Sequence, residues 1–194
     1  MLCYIGPMAS DPRPRISPEE YLALERQAET KSEYLDGEIF AMTGASRKHN
    51  RLSVNLTVAL DSQLRDKGCE VYANQMRVKV SVTGLYTYPD VIVVCGEPQF
   101  EDAEVDTLLN PTLIIEVLSK STEDYDRGTK FLHYRALPSL REYILIAQNR
   151  IHVEHHLRQN DAWLLTETDL REDVIELPSV GARLALTEIY DRVL

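Results

Sequence analysis

The sequence predicts an α/β fold: a mixed β-sheet with helices on its faces. Three observations carry that expectation. VIVVC (91–95), LIIEVL (113–118) and EYILIA (142–147) are continuous apolar runs, as in central strands covered on both faces. Segments of helical period stand between such runs. With 194 residues and 44% apolar composition, the chain has enough apolar surface for one core and too much for a disordered polymer.

Residues 1–15 read as a flexible N-terminal tail, without the basic start and long apolar stretch of a secretory signal. Residues 16–194 read as a single domain. Ser17, Pro18 and Glu20 form a helix start with a capping box, and Tyr21, Leu24 and Ala28 share one face. EYLDGEIFAM is a hairpin turning at Asp36-Gly37. Opposed residues then place Glu33, Leu35, Glu38 and Phe40 on one side, with Tyr34 and Ile39 on the other. Leu52, Leu56, Ala59, Leu60 and Leu64 have helical spacing, stopped by Gly68. CEVYANQMRVKVSV reads as one strand whose alternation slips at Asn74-Gln75, as at a bulge. TEDYDRGTKFLHYRAL reads as a helix with Phe131 and Tyr134 inward. IHVEHHL, AWLLTE and DVIEL form an outer meander, followed by a last helical turn in TEIYDRVL.

No apolar run approaches the roughly 18 residues of a membrane span. The three cysteines, Cys3, Cys69 and Cys95, lack metal-like spacing and read as thiols in a reducing cytoplasm. The net charge of −10 argues against coating nucleic acid through bulk electrostatics. It leaves room for a local basic groove, from Arg47, Lys48 and Arg51, or from Lys120, Arg127, Lys130 and Arg135. Either cluster reads equally well as solvated surface.

Two strand runs carry an acid: Asp90 opens VIVVC, and Glu116 lies inside LIIEVL. Burying a carboxylate is costly unless something compensates it. If these strands pair antiparallel, Asp90 approaches the LSK end of the second run. Two carboxylates there raise each other's pKa unless a cation lies between them. Mg²⁺ (or Mn²⁺) suits oxygen ligands and tolerates an incomplete protein cage. Asp126, Lys130 and Tyr134 are four apart and share a helix face. A lysine beside metal-binding acids can orient a water or neutralise developing phosphate charge. By spacing alone, an Asp126–Lys130 helical ion pair is the simpler reading. His49, at a helix start, is either a surface histidine or a partner for substrate or carboxylate. His152, His155 and His156 read as structural, because His152 and His156 are about 13 Å apart on a strand and His155 faces away from His156.

GLYTYPDVIVV, NPTLIIEVLSKST, DRGTKFLHYRALPSLREYILI and the earlier EYLDGEIFAMTGAS followed by His49 resemble the Uma2 family of endonucleases. The resemblance runs from about Ser17 to the end of the chain. It implies the PD-(D/E)xK superfamily and a restriction-endonuclease-like mixed central sheet flanked by helices. There the sheet-borne Asp and Glu bind a divalent metal, and a lysine assists phosphodiester hydrolysis. Asp90 matches the motif's Asp and Glu116 its second acid. Leu118 stands where the motif's lysine is expected, and the family's migrated lysine corresponds to Lys130. Glu33 or Glu38 matches the extra upstream acid. Lys120 stands where relatives often carry proline and ranks below Lys130 as a substitute lysine.

The resemblance implies a Mg²⁺-dependent endonuclease cutting DNA by attack of an activated water. Pairing of two copies would suit duplex cleavage. A catalytically inactive nuclease-fold binding or assembly module is the alternative, with its acids paired to basic residues. A metal phosphatase acting on small substrates is a third reading.

Overall fold

The computed structural model describes residues 15–42 and 44–194. Apart from Arg15, the expected N-terminal tail lies outside the described residues, as does Cys3.

Helix α1 spans Pro18–Glu25, and Ser17 and Glu20 close the expected capping box. Strands β1 (Ser32–Leu35) and β2 (Glu38–Ala41) form the hairpin. Their register pairs Leu35 with Glu38 and Glu33 with Phe40, as the turn requires. Asp36 and Gly37 both have positive φ (49° and 84°), which suits a two-residue hairpin turn. Helix α2 spans Arg47–Leu64, and its Leu52, Leu56, Leu60 and Leu64 are buried.

The expected long strand at 69–82 is two strands in two sheets. β3 (Cys69–Ala73) and β4 (Arg77–Val80) are separated by a tight turn, with Met76 N–H donating to Ala73 C=O at 3.2 Å. The slipped alternation therefore marks a change of sheet and not a bulge. β5 (Leu85–Thr87) and β7 (Thr107–Leu108) were not expected, being too short to show a period. β6 (Val91–Cys95), β8 (Leu113–Leu118) and β9 (Glu142–Ala147) are the three apolar runs. β10 (Val153–Gln159) and β11 (Ala162–Thr168) extend the same sheet, while β12 (Val174–Leu177) and β13 (Ala182–Ala185) pair separately. α5 (Leu186–Ile189) is the expected last turn.

The central sheet runs β11-β10-β9-β8-β6-β3. β6 and β8 are antiparallel, and β8 and β9 parallel. One face, with Val91, Val93, Ile115 and Ile144, packs on the leucines of α2. On the other face Ile92, Ile114 and Leu145 meet Tyr134, Leu137 and the second sheet, β2-β1-β5-β4-β7. Cover on both faces accounts for the unbroken apolar runs.

The β8-to-β9 crossover is helical but not uniformly α. α3 (Glu123–Tyr125) leads into a π-helical turn, Asp126–Lys130, and then α4 (Phe131–Tyr134). Such wide turns gather at functional sites, and here both ends of the turn, Asp126 and Lys130, are buried.

The cysteine expectation is corrected. Cys69 and Cys95 are direct cross-strand partners on β3 and β6, and their sulfurs are bonded. Their spacing in sequence gave no hint of this, because the pairing depends on strand register.

Candidate active site

Asp90 immediately precedes β6. The β6–β8 register pairs Val91 with Ile115 and Ile92 with Ile114. Continued by one residue, it sets Asp90 opposite Glu116, and residues directly opposed across antiparallel strands share a face. That face is the one covered by the crossover helix. Asp90 Oδ2 accepts from Val117 N–H at 2.8 Å and lies 3.1 Å from His49 Nε2. His49 reaches it from the first turn of α2, where Ser46 caps the helix by accepting from His49 N–H.

Glu116 Oε1 accepts from Tyr134 O–H at 2.8 Å and from Lys130 Nζ at 3.0 Å. Lys130 Nζ also lies 3.0 Å from Glu33 Oε1 and 3.6 Å from Asp126 Oδ1. One ammonium, only 6% exposed, thus faces three buried carboxylates. Thr87 Oγ1 donates to Glu33.

The electrostatics follow from that count. Burial pushes the Glu116 carboxyl up to about 8, against the pull of Lys130 and with Asp126 and Asp90 adding to the rise. Asp126 is raised for the same leading reason, burial, with Lys130 opposing. Burial alone would lower Lys130, but Glu116, Glu33 and Asp126 hold it well above the usual lysine range. Burial thus favours the protonated Glu116 carboxyl, while the surrounding carboxylates favour the charged Lys130 ammonium.

Of the expected site residues, Asp90, Glu116, Lys130, Glu33 and His49 come together on one cleft of about 1370 Å³. Lys130 meets Glu116, Glu33 and Asp126 together, so the helical pair with Asp126 exists inside a larger cluster. Lys120 reaches only the rim and is exposed. Glu38 is exposed and does not line the cleft, because it sits at the turn end of β2, whose other end, Phe40 and Ala41, does line it. His152 and His155 bind acids elsewhere, Asp169 at 2.6 Å and Glu142 at 2.8 Å, and His156 packs on Phe131. Of the basic clusters, Arg127 is spent on Glu123 and Glu154.

Gln148 was missed by the sequence reading. It donates to Leu118 C=O at 2.9 Å, accepts from Ser46 O–H, and lines the cleft. The available signal was a polar residue ending a central strand that runs parallel to the one bearing Glu116. Tyr134 was read only as a packing residue. Tyr134→Phe removes the donor to Glu116 without opening a cavity and should cost about 1–2 kcal/mol in thermal or denaturant unfolding.

The donor chemistry suits a hard divalent cation. Among the described residues, neither Asp90 Oδ1 nor Glu116 Oε2 receives a hydrogen bond. Among the same residues, no group of three or more His, Cys, Asp or Glu is spaced to hold an ion. Asp90 and Glu116 would have to hold such a cation as two carboxylates, with water and substrate oxygens completing its shell, the manner in which Mg²⁺ is commonly held.

A mixed sheet with paired acids on adjacent antiparallel strands, and a lysine on the crossover helix, defines a restriction-endonuclease-like protein. The Uma2 family model, described as "Putative restriction endonuclease", matches residues 18–187, and the chain belongs to that family. It is 44% identical over 149 residues to "Uncharacterized protein sll1609" of Synechocystis sp., covering 76% of this chain and 84% of that protein. It is 37% identical over 182 residues to "Uncharacterized protein slr1290" of the same organism, covering 93% and 94%. In three dimensions it is similar to a protein from Anabaena variabilis described as "a putative nuclease belonging to DUF820". The TM-score is 0.74 at 19% identity, covering 92% of this chain and 99% of that one, which shows a shared fold. No described helix is long and apolar enough to cross a membrane.

Proposed function

We propose that the protein is a metal-dependent endonuclease that hydrolyses phosphodiester bonds of DNA in the cytoplasm. The observation that carries this reading is the β6–β8 register, which opposes Asp90 to Glu116 while Lys130 touches Glu116. The cleft volume of about 1370 Å³ exceeds the ~300–1,000 Å³ usual for small ligands and favours a polymer over a small phosphate ester.

Asp90 and Glu116 would hold Mg²⁺ or Mn²⁺. Such a cation supplies Lewis acidity toward a phosphoryl oxygen and lowers the pKa of a bound water. Lys130 places its ammonium where negative charge grows at phosphorus. Glu33 and Asp126 keep that ammonium charged and in place, and His49 and Val117 N–H fix the orientation of Asp90. Glu33, and not Glu38, serves as the extra upstream acid. Cleavage of both strands of a duplex would use two copies of the chain, and sedimentation with and without duplex DNA reads this directly.

The second reading is a nuclease-fold binding or assembly module without activity. It is favoured by the pairing of Glu116 with Lys130 and of Asp90 with His49, which leaves these acids compensated without metal. Calorimetric titration of metal-free protein with Mg²⁺ or Mn²⁺, beside a DNA-cleavage assay, separates the two. The enzyme reading expects one binding site, lost in Asp90→Asn, and cleavage that stops with it. Absence of both binding and cleavage would sink it in favour of the module.

A further inference from the structure

We propose that Lys31 binds the backbone phosphate next to the one cleaved, so that the site takes a nucleic-acid strand with at least two consecutive phosphates. This rests on the nuclease reading of the cleft. The cleft is rich in acids, and most of its cations are already engaged. Arg26 and Arg77 are paired with Asp106, and Lys130 with its three carboxylates. Among the described cleft residues, Lys31 and Lys120 have no carboxylate partner, and Lys120 lies exposed at the rim.

Lys31 is half-buried and held by neutral groups. Its ammonium donates to Asn74 C=O in the turn between β3 and β4 and sits 5.0 Å from the centre of the Tyr88 ring. A carbonyl and an aromatic face position a cation without neutralising it. Tyr88 is itself fixed, accepting from Arg77 at 2.8 Å and donating to Glu25 at 3.0 Å. It also stands two residues before Asp90, so one short stretch, TYPD, carries both the ring under Lys31 and an acid of the site. On the other side, Lys31 precedes Glu33 by two residues. On extended backbone that is about 7 Å, the scale of one nucleotide step. Lys31 and Asp90 both line the cleft. A spare positive charge one step from the acids, in an otherwise engaged cleft, matches a neighbouring phosphate.

The test is the affinity of the full chain for a phosphorothioate oligothymidylate, measured by fluorescence anisotropy across a range of salt. Lys31→Met, which keeps the stem over Tyr88, should weaken binding roughly three- to tenfold at low salt and reduce the salt slope by about one. Lys31→Arg should restore most of both. Mg²⁺ should still bind Lys31→Met no more weakly than wild type, and the salt slope, which a merely structural role would not move, should fall even where the thermal midpoint drops by the loss of one hydrogen bond. Equal affinity and equal salt slope in Lys31→Met and wild type would overturn the role of Lys31 while leaving the nuclease reading intact. Wild-type protein that binds no oligonucleotide would overturn both.

Discussion

Lys130→Met should remove most cleavage and destabilise the metal-free protein, with the second effect governed by pH. The methionine stem fills the volume, so no cavity opens. What disappears is the ammonium between Glu116, Glu33 and Asp126. Removing one partner of a buried ionic cluster typically costs about 3–5 kcal/mol, because the remaining charges are left without compensation. Protonation relieves that cost. The loss should therefore shrink as pH falls below about 8, as Glu116 and then Asp126, both raised by burial, take up protons. Denaturant unfolding at several pH values measures it. Turnover on DNA should fall by about 10²–10³-fold, as when a positioned electrostatic donor is removed. A pH-independent stability loss would show that packing of the stem, not its charge, was at stake. Unchanged turnover would remove Lys130 from the chemistry and turn attention to Lys120.

Glu116→Gln should cut turnover by a comparable factor and yet stabilise the metal-free protein at alkaline pH. Tyr134 O–H and Lys130 Nζ both donate to Oε1, and a glutamine oxygen can accept from both. In wild type the folded Glu116 carboxyl titrates at about 8, raised from its ordinary value of 4.5. Between those values the folded state holds a proton that the unfolded chain has lost. Wild-type stability from this group is thus fully present below pH 4.5 and drains away as pH rises towards 8, at no more than about 1.4 kcal/mol per pH unit. Glutamine has nothing to titrate there. The difference between variant and wild type should grow with pH across that window in favour of the variant. A loss of several kcal/mol in Glu116→Gln would instead mark Glu116 as half of a structural ion pair.

Asp90 and Glu116 were legible in the sequence because one opens an apolar run and the other interrupts one, where a charge needs a reason. The hairpin register was legible too, since Asp36-Gly37 allows little choice of turn. Lys130 was not, on spacing alone: four residues from Asp126 looks like an ordinary surface pair, and only the family likeness lifted it. The difference lies in which face of the crossover helix is buried: both residues lie on the buried one, which residue type does not signal. Glu33 and Glu38 could not be told apart, because both lie on one side of the hairpin. What separates them is position along the hairpin: Glu33 is buried opposite Phe40 at the cleft end, and Glu38 is exposed beside the turn. The division of 69–82 into two strands, the Cys69–Cys95 pairing, Gln148 and Lys31 all depend on contacts between distant segments. Alternation and composition do not reach that far.

The opposition of Asp90 to Glu116 exists only when β6 and β8 are zipped in one register, since a slip of a single residue would send one of them to the α2 side. Partly assembled chains therefore have no pair of acids to offer, and any cation that binds there selects the finished protein. Binding and folding become one linked equilibrium, worth about 2.7 kcal/mol to the native state when the cation is a hundredfold above its dissociation constant. Under the proposed nuclease function, newly made chains would be harmless to the nucleic acid around them until their sheet had closed.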